Sequence, residues 1–290
     1  MTTVGFVGLG HMGGTMATRL LSAGYEVYGN VRLREHARAL EEAGVRWRDT
    51  PREVAEAAEV VLTSLPDDAA LESAASGPDG LLAGLAGGKV WVDVSTVSPR
   101  VSRELAERAS ERGAALLDAP VSGSVPQVQS GTLTIMVGGN GDAYRRVEPV
   151  LREFGTPTHV GENGQGLALK LAINISLAVQ ILAYSEGLLL ATRFGIDPAV
   201  ATRVMTESPI GSPMLKARAP LVLALPEEAW FAVSLMHKDI ALALALAREL
   251  DLSLPSADAA DAALSQAERL GYERRDIAAL YQALQAVPAQ

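Results

Sequence analysis

In the first half of the chain, short apolar runs rich in β-branched residues alternate with segments of helical periodicity. These runs predict strands, in the order VGFVGLG, YEVYGN, EVVLTSLP, KVWVDVST, AALLDAP, TLTIMVGG and THVG. The segments between them predict helices, two of which open at Pro51 and Pro99, where proline suits the first helical turn. Strands that alternate with helices in this way are typical of a doubly wound, mostly parallel sheet covered by helices.

The pattern changes after GENGQG, near residue 163. Beyond it the β-branched runs stop, and Ala/Leu-rich segments predict helices over residues 166–194, 197–206, 213–224, 231–250, 255–270 and 273–286. Start signals such as Asp197-Pro198 and Ser212-Pro213 mark several of these helices. The sequence therefore predicts an α/β domain over residues 1–163 and an all-helical domain over residues 164–290, built on one long central helix.

The predicted helix over residues 166–194 is apolar on nearly every face, so we expect it to be buried. Lys170 and Asn174 interrupt it early and lie on the same side, because they are four residues apart. A buried lysine is costly unless it is paired or functional, since burial disfavours its charged form. The alternative is a lysine that extends to water from the helix start, with an asparagine bonded to a neighbouring helix.

Composition and charge exclude several classes of function. The chain has 48% hydrophobic residues and a net charge of −9, with no Lys/Arg cluster that could follow a nucleic-acid backbone. Cysteine is absent from the sequence, which excludes thiol catalysis, and the four scattered histidines lack metal-ligand spacing. The chain opens on a strand pattern, and no long apolar stretch is free of polar interruptions. We therefore expect a cytoplasmic protein without a metal, and with neither a membrane nor a nucleic-acid partner.

A glycine-rich turn follows the first predicted strand and opens the first predicted helix. It matches G-x-G-x-x-G over Gly8, Leu9, Gly10, His11, Met12 and Gly13. Glycines at these positions permit a tight turn and let backbone N–H groups approach a pyrophosphate, which the helix N-terminus then stabilises. In this strand–turn–helix context, the motif predicts a Rossmann-type dinucleotide site. The alternative is a glycine-rich turn that binds no ligand.

The end of the second strand indicates which dinucleotide is bound. An acidic residue about 20 residues after the glycines would bind the ribose of NAD. Here the chain runs through Asn30, Val31 and Arg32 to Arg34, with no acid before Glu35. Guanidinium groups bind phosphate bidentately, so the two arginines favour the 2′-phosphate of NADP, while NAD stays possible. The alternative is that both arginines are solvated loop charges.

With these motifs, the chain resembles the β-hydroxyacid dehydrogenase family over nearly its whole length. Four segments occur in the family's order: the glycine turn, Asp118-Ala119-Pro120-Val121-Ser122-Gly123, Gly166-x-x-x-Lys170-x-x-x-Asn174, and Lys238-Asp239. The family includes 3-hydroxyisobutyrate dehydrogenases, tartronate semialdehyde reductases and glyoxylate/succinic semialdehyde reductases. The resemblance implies hydride transfer between NADP(H) and a small aldehyde acid or 3-hydroxy acid, without choosing among these substrates.

The resemblance also implies roles for single residues. Lys170 would be the general acid in reduction and the general base in oxidation, and Asn174 would hold the reacting oxygen or orient the lysine. Ser122 and Gly123 would bind the substrate carboxylate through a hydroxyl group and backbone N–H groups. Ser124 stands where a second glycine is common in the family, so its hydroxyl group would alter or supplement these contacts.

The remaining residues implied by the resemblance would bind the cofactor. Those that follow the third and fourth predicted strands are Ser64, Leu65, Pro66, Ser95 and Thr96. Asn30 and Arg32 end the second strand, and Lys238 would reach the cofactor and the substrate from the helical domain. In the alternative reading, Thr96 caps a helix and Lys238 forms an ion pair on a wet face.

Two other functions stay open. Imine reductases and reductive aminases share this two-domain build, but they typically lack a lysine at the position of Lys170. A regulatory protein that binds NADP without turnover would need no acid or base at all. Segments such as IALALALARELDL also present apolar helical faces, and family members associate through this domain, which implies a homodimer or homotetramer.

Overall fold

The computed structural model describes residues 2–32 and 37–286 of the chain. It divides into two compact units, Met1–Lys170 and Leu171–Gln290. The elements of the first unit are, in chain order, β1 (Thr3–Val7), α1 (His11–Ser22), β2 (Glu26–Asn30), α2 (Arg38–Glu42), β3 (Arg46–Trp47), α3 (Pro51–Ala57), β4 (Val60–Thr63), α4 (Asp68–Ala75), α5 (Leu81–Gly84), β5 (Val90–Asp93), α6 (Pro99–Ser110), β6 (Ala115–Asp118), β7 (Val121–Ser122), α7 (Val125–Ser130), β8 (Leu133–Gly138), α8 (Gly141–Arg152) and β9 (Gly155–Gly161).

Among the described residues, these strands form one sheet in the order β3-β2-β1-β4-β5-β6-β8-β7, with β9 beside β8. Strands β1 to β6 pair in parallel, whereas β8 runs antiparallel to β6 and β7. The chain moves outward from β1 in one direction through β2 and β3, and in the other through β4, β5 and β6. The carboxyl ends of β1 and β4 therefore flank the point where ligands bind in doubly wound sheets.

Both faces of the sheet are buried, as parallel strands require. In β4, Val60 and Leu62 join one hydrophobic core and Val61 joins the other. Trp91 in β5 is fully buried in the second of these cores. The alternation of side chains along each strand thus builds one core on either face of the sheet.

The predicted strands and the main helices of this unit are present, and the doubly wound, mostly parallel α/β fold is confirmed. Sequence reasoning missed the short strands β3 and β7 and the short helices α5 and α7. Two-residue strands carry too few residues for a periodic signal. The last strand, β9, is longer than THVG indicates, because its pairing with β8 extends back to Gly155. The helix predicted after β2 partly falls on residues 33–36, which lie outside the described residues.

The second unit is helical. Its elements are α9 (Gln165–Arg193, which begins in the first unit), α10 (Pro198–Glu207), α11 (Pro213–Leu223), α12 (Val233–Glu249), α13 (Pro255–Arg269), a 3₁₀ turn (Ile277–Ala279) and α14 (Leu280–Gln285). A core beneath the middle of α9 combines Ala178, Ile181 and Leu182 with residues of α12, α13 and α14. The predicted helix over residues 273–286 is shorter, because the Asp276 carboxylate caps the 3₁₀ turn at Ala278 instead of a full helix.

The expectation that the apolar helix α9 is buried holds for much of the helix, but one stripe of it is exposed. Leu169 is 42% exposed and Leu190 is 75% exposed in the chain described here. The 29-residue helix α9 contains an 18-residue window with a mean hydropathy of 1.8, so it is long and apolar enough to cross a membrane by length and composition alone. Core helices of globular proteins meet the same criterion, and buried Lys170 and Asn174 fit a core helix better than a lipid-facing one.

Candidate active site

The glycine turn after β1 gives each of its three glycines a separate task. Gly8 has a φ of +92°, and a Cβ there would lie 2.3 Å from the carbonyl oxygen of Ser64, so β1 and β4 approach closely only with glycine. A Cβ at Gly13 would lie 2.1 Å from the carbonyl oxygen of Gly8, which keeps α1 tight against the turn. At Gly10, by contrast, a Cβ would meet no described atom within 4 Å. The backbone there is open to an incoming group.

The start of α1 offers an anion site at this opening. Gly10 is its N-cap, and no side chain of the described residues caps the helix. The first N–H groups of α1 therefore point outward with the positive end of the helix dipole behind them. Leu9 is buried, while His11 is exposed and borders a surface cavity of about 870 Å³ beside α1. An open glycine and an uncapped helix start fit the pyrophosphate of a dinucleotide.

The end of β2 shows how two predicted cofactor residues are placed. The Asn30 side chain is buried and donates to the carbonyl oxygens of Arg48 and Asp49 at 2.9 and 3.0 Å. Asn30 therefore fixes the backbone after β2 against the segment after β3. Arg32 is exposed two residues further on, and Arg34 lies outside the described residues.

A buried network joins the ends of β4 and β5. The Asp93 carboxylate oxygen Oδ1 accepts from the hydroxyl groups of Thr63 and Ser95, each at 2.6 Å. The Ser95 hydroxyl oxygen in turn accepts from the Leu65 N–H at 2.9 Å. Burial raises the pKa of Asp93 to about 6. This network sets the spacing of the two loops in which the predicted cofactor residues lie. The other predicted residues of these loops, Ser64, Pro66 and Thr96, are partly or fully exposed.

A second buried carboxylate lies at the end of β6. Asp118 accepts from the N–H groups of Gly164 at 2.7 Å and of Leu167 at 2.9 Å, at the beginning of α9. Burial raises the pKa of Asp118, and the bonds from these two N–H groups oppose that shift. Lys170 follows on the same helix and is 8% exposed.

The turn after β7 carries the predicted carboxylate-binding residues. Ser122 ends β7 and is half-buried, and Gly123 follows in an exposed position with a φ of +129°. The N–H and hydroxyl groups of Ser124 both donate to the side-chain oxygen of Gln127 at 2.9 Å. Ser124 is therefore engaged with the first turn of α7.

In the second unit, Asn174 is buried on α9 and its side-chain Nδ2 donates to Asp239 Oδ2 at 2.6 Å. Carboxylates only accept hydrogen bonds, so this contact directs the amide nitrogen of Asn174 towards Asp239. The carbonyl oxygen of the same amide is buried with no partner among the described residues. Lys238 Nζ forms an ion pair with Asp239 Oδ1 at 2.8 Å. The angles of this contact are not those of a hydrogen bond. Asn174 and Lys238 thus share one carboxylate.

Sequence reasoning assigned roles to the polar residues that follow strands and assigned none to the acids at the strand ends, although Asp118 and Asp239 lie within quoted motifs. Asp93 and Asp118 each end an otherwise apolar run, VWVD and ALLD, and both are buried. A charged residue at the end of an apolar strand was the available signal, because such a group needs partners. Asp239 had the same signal, as an acid on the apolar side of α12.

Comparison with known proteins identifies both halves of the chain. The family model of the NAD binding domain of 6-phosphogluconate dehydrogenase matches residues 3–163. The model described as the NAD-binding region of NADP-dependent 3-hydroxyisobutyrate dehydrogenase matches residues 164–284. The 3-hydroxyisobutyrate dehydrogenase of Pseudomonas aeruginosa is 38% identical over 88% of this chain and 88% of its own.

Solved structures agree with these matches. The 3-hydroxyisobutyrate dehydrogenase of Mycobacterium tuberculosis with L-serine has a TM-score of 0.87 and 30% identity, over 99% of this chain and 100% of its own. An imine reductase from Pseudomonas sp. also matches, over 98% of this chain and 99% of its own, with a TM-score of 0.65 and 25% identity. The imine reductase is the more distant of the two.

Proposed function

The chain belongs to the β-hydroxyacid dehydrogenase family and is an oxidoreductase that acts on CH–OH groups with a nicotinamide dinucleotide, and from this premise we propose its reaction in detail. It transfers a hydride between NADP(H) and a small 3-hydroxy acid or the corresponding aldehyde acid, with Lys170 as general acid and base. The observation that carries the proposal is a lysine that is only 8% exposed, close to the start of a helix anchored on the strand end before Ser122 and Gly123.

The bound cofactor supplies or accepts the hydride at its nicotinamide ring. Everything else in the reaction is assigned to side chains and backbone groups of this chain. In reduction, the Lys170 ammonium group gives a proton to the oxygen of the substrate as that oxygen gains negative charge. In oxidation, the neutral Lys170 amine takes the proton from the hydroxyl group.

Asn174 is assigned to the orientation of Lys170 from one helical turn further along α9. Its carbonyl oxygen, which has no partner among the described residues, accepts a hydrogen bond from the Lys170 ammonium group. Its amide nitrogen is already directed to Asp239 at 2.6 Å. Asn174 therefore keeps Lys170 in one orientation and leaves the hydroxyl proton of the alcohol to the lysine.

The substrate carboxylate is assigned to the Ser122–Gly123 turn. A hydroxyl group and backbone N–H groups are donors that suit a carboxylate, and glycine lets the anion come close to the backbone. Ser124 supports the turn, because its own donors are bonded to Gln127. A small acid is therefore the substrate class that the turn favours.

NADP is proposed over NAD as the preferred cofactor. Arg32 is exposed after β2, and the sequence has no acidic residue from Asn30 to Arg34, which suits a 2′-phosphate better than a free ribose hydroxyl group. The match of residues 164–284 to a region of an NADP-dependent enzyme supports the same choice.

The test is an initial-rate assay of NADPH and NADH oxidation with small aldehyde acids and with cyclic imines. We expect the wild-type protein to reduce an aldehyde acid with NADPH, and Lys170→Ala to lower that rate by two orders of magnitude or more. Lys216→Ala is the matched control, because Lys216 is an exposed lysine of α11. Its rate should equal that of the wild type.

Each competing function predicts a different result in this assay. An imine reductase would reduce the imines in preference, and Lys170→Ala would leave its rate unchanged. A regulatory protein would bind NADPH, seen as a change in NADPH fluorescence, and turn over no substrate. Either result would contradict the proposed reaction.

A homodimer formed through the helical unit is proposed as well. Large apolar side chains are exposed between residues 190 and 210, which we call the apolar patch: Leu190, Phe194, Ile196, Val200, Val204 and Ile210. Phe194 is 88% exposed, an unusual position for phenylalanine in an isolated chain. A second copy of this chain is the partner that would cover the patch.

A further inference from the structure

We propose that Asp118 is a positioning residue for the reaction: its buried carboxylate fixes the start of α9, and with it Lys170, against the turn that binds the substrate. This inference rests on the proposed function, since it assumes that Lys170 exchanges the proton and that Ser122 and Gly123 bind the carboxylate. It assigns a task to a residue that contacts neither the substrate nor the cofactor in that reaction.

The contacts of Asp118 form a helix cap supplied by a distant strand. Its Oδ1 accepts from Gly164 N–H at 2.7 Å and its Oδ2 from Leu167 N–H at 2.9 Å. Two N–H groups that the helix cannot satisfy internally are therefore satisfied by a residue that precedes them by more than forty positions. A carboxylate at a helix N-terminus also interacts favourably with the helix dipole. Most helix caps come from the residue next to the helix, as Asp197 does for α10.

The space around Asp118 allows little movement of either element. A Cβ at Gly166 would lie 2.8 Å from Asp118 Oδ2 and 2.4 Å from the carbonyl oxygen of Met136. A Cβ at Gly138 would lie 2.7 Å from Asp118 Oδ1. The first turn of α9 thus rests directly on β6 and β8, and glycine is needed on both sides of the carboxylate.

The same residue connects to the substrate turn through the chain and through the sheet. Pro120 follows Asp118 by two positions, and its carbonyl oxygen accepts from the Met136 N–H at 3.1 Å. Ser122 then pairs with Thr134 of β8. Lys170 follows Leu167 by three residues, which is less than one helical turn. Asp118 therefore sets the distance between Lys170 and the Ser122–Gly123 turn. This distance determines whether a substrate bound at the turn lies within reach of the Lys170 ammonium group.

The test is a double-mutant cycle with Asp118→Asn and Lys170→Ala, measured in aldehyde-acid reduction with NADPH at high enzyme concentration. Asparagine keeps the size of Asp118 but presents an N–H₂ group to one of the two N–H donors. In the wild-type background we expect kcat to fall by about 10- to 100-fold, because small misplacements of a reacting group cost that much. The KM for NADPH should stay within about twofold.

In the Lys170→Ala background, Asp118→Asn should lower the residual rate by less than about twofold, since the residue acts through the lysine. An equal loss of rate in both backgrounds would overturn the proposal. So would a loss that appears only in the KM for NADPH. Asp197→Ala removes a helix cap of the same chemistry from α10 and should leave kcat unchanged.

A second variant and a second measurement distinguish the proposed effect from a general loss of folding in Asp118→Asn. Gly166→Ala would push α9 away from Asp118 without altering either charge, and it should reproduce the fall in kcat. Amide hydrogen exchange at Gly164 and Leu167 should be slow in the wild type and faster in both variants. Unchanged exchange at these two amides in Asp118→Asn would contradict the cap itself. Absence of any turnover by the wild-type protein would instead refute the proposed function and leave the exchange result to decide on the cap.

Discussion

Asp93 and Asp118 are register partners at the ends of the adjacent parallel strands β5 and β6, and both carboxyl groups are buried. Asp93 bonds to the loops after β4 and β5, whereas Asp118 bonds to the start of α9. Burial raises the pKa of both groups, and the charge of Asp118 contributes to the shift at Asp93. Asp93 therefore organises the loops after β4 and β5, and Asp118 organises the start of α9. Burying the two carboxyl groups lowers the stability of the fold when they are ionised.

The first prediction concerns this loss of stability. Burial raises the pKa of Asp93 from 3.8 to about 6, so its protonated form favours the folded state. This contribution to the unfolding free energy is fully present below pH 3.8 and is lost as the pH rises through about 6. The total loss is roughly 3 kcal/mol. Asp93→Asn removes the titration. The unfolding free energy is measured in urea at several pH values. Between pH 4 and 7, that of the wild type should fall relative to that of the variant. Parallel pH profiles of the two proteins would rule this out.

The second prediction separates the tasks of two glycines in the phosphate turn. Gly10→Ala should leave the melting temperature within a few degrees of the wild type, because the added Cβ meets no described atom within 4 Å. It should weaken NADPH binding by tenfold or more, because the methyl group would occupy the approach of the pyrophosphate. Gly13→Ala should instead destabilise the fold by about 1–3 kcal/mol or more, because its Cβ would lie 2.1 Å from the Gly8 carbonyl oxygen. Calorimetry and NADPH titration of both variants provide the comparison, and equal effects of the two would contradict it.

The third prediction concerns cofactor choice. Arg32→Ala should raise the KM for NADPH by about 10- to 100-fold, because the loss of a hydrogen bond between two charged groups weakens binding by about that factor. The KM for NADH should stay nearly unchanged, because NADH lacks the 2′-phosphate. Arg100→Ala serves as the control, since Arg100 is an exposed arginine that pairs with Glu104 on α6. If the ratio of the two KM values is the same in Arg32→Ala and the wild type, Arg32 plays no part in the choice.

The fourth prediction tests the contact between Asn174 and Asp239. Asn174→Ala leaves the buried Asp239 carboxylate without its donor, so stability should fall by about 1–3 kcal/mol and kcat should fall as well. Thr202→Val removes another buried hydrogen bond of the same unit, from Tyr184 at 2.8 Å. This control should lose comparable stability and keep the wild-type kcat. A normal kcat in Asn174→Ala would remove the residue from the proposed mechanism.

The fifth prediction concerns the apolar patch. Phe194→Asp should convert a homodimer into a monomer with little loss of folded stability, because Phe194 is 88% exposed in the single chain. Light scattering coupled to size-exclusion chromatography gives the mass directly. Leu252→Asp makes the same change of polarity at an exposed residue outside the patch and should leave the dimer intact. If the wild-type protein is a monomer, the proposed homodimer is wrong.

The sequence identified the fold because its signals are local. Valine-rich runs, helix-starting prolines at Pro51 and Pro99, and the G-x-G-x-x-G turn are each readable within a few residues. Elements that depend on distant pairing were missed, such as β3, which exists through its pairing with Tyr28 and Gly29 of β2. The burial of α9 was misjudged along one stripe for a related reason. An apolar helix surface indicates that something covers it, but not whether the cover belongs to the same chain.

The sequence by itself determined the residue types and their order: three glycines at a strand end, a lysine and an asparagine four apart on an apolar helix, and a serine–glycine turn. Only the tertiary structure decided which partners these residues have. It directs the Asn174 amide to Asp239, commits the Ser95 hydroxyl group to Asp93 and Leu65, and places Asp118 under the start of α9. The physical reason is that hydrogen bonds between buried groups depend on contacts between residues far apart in the chain, which no local pattern of polarity records.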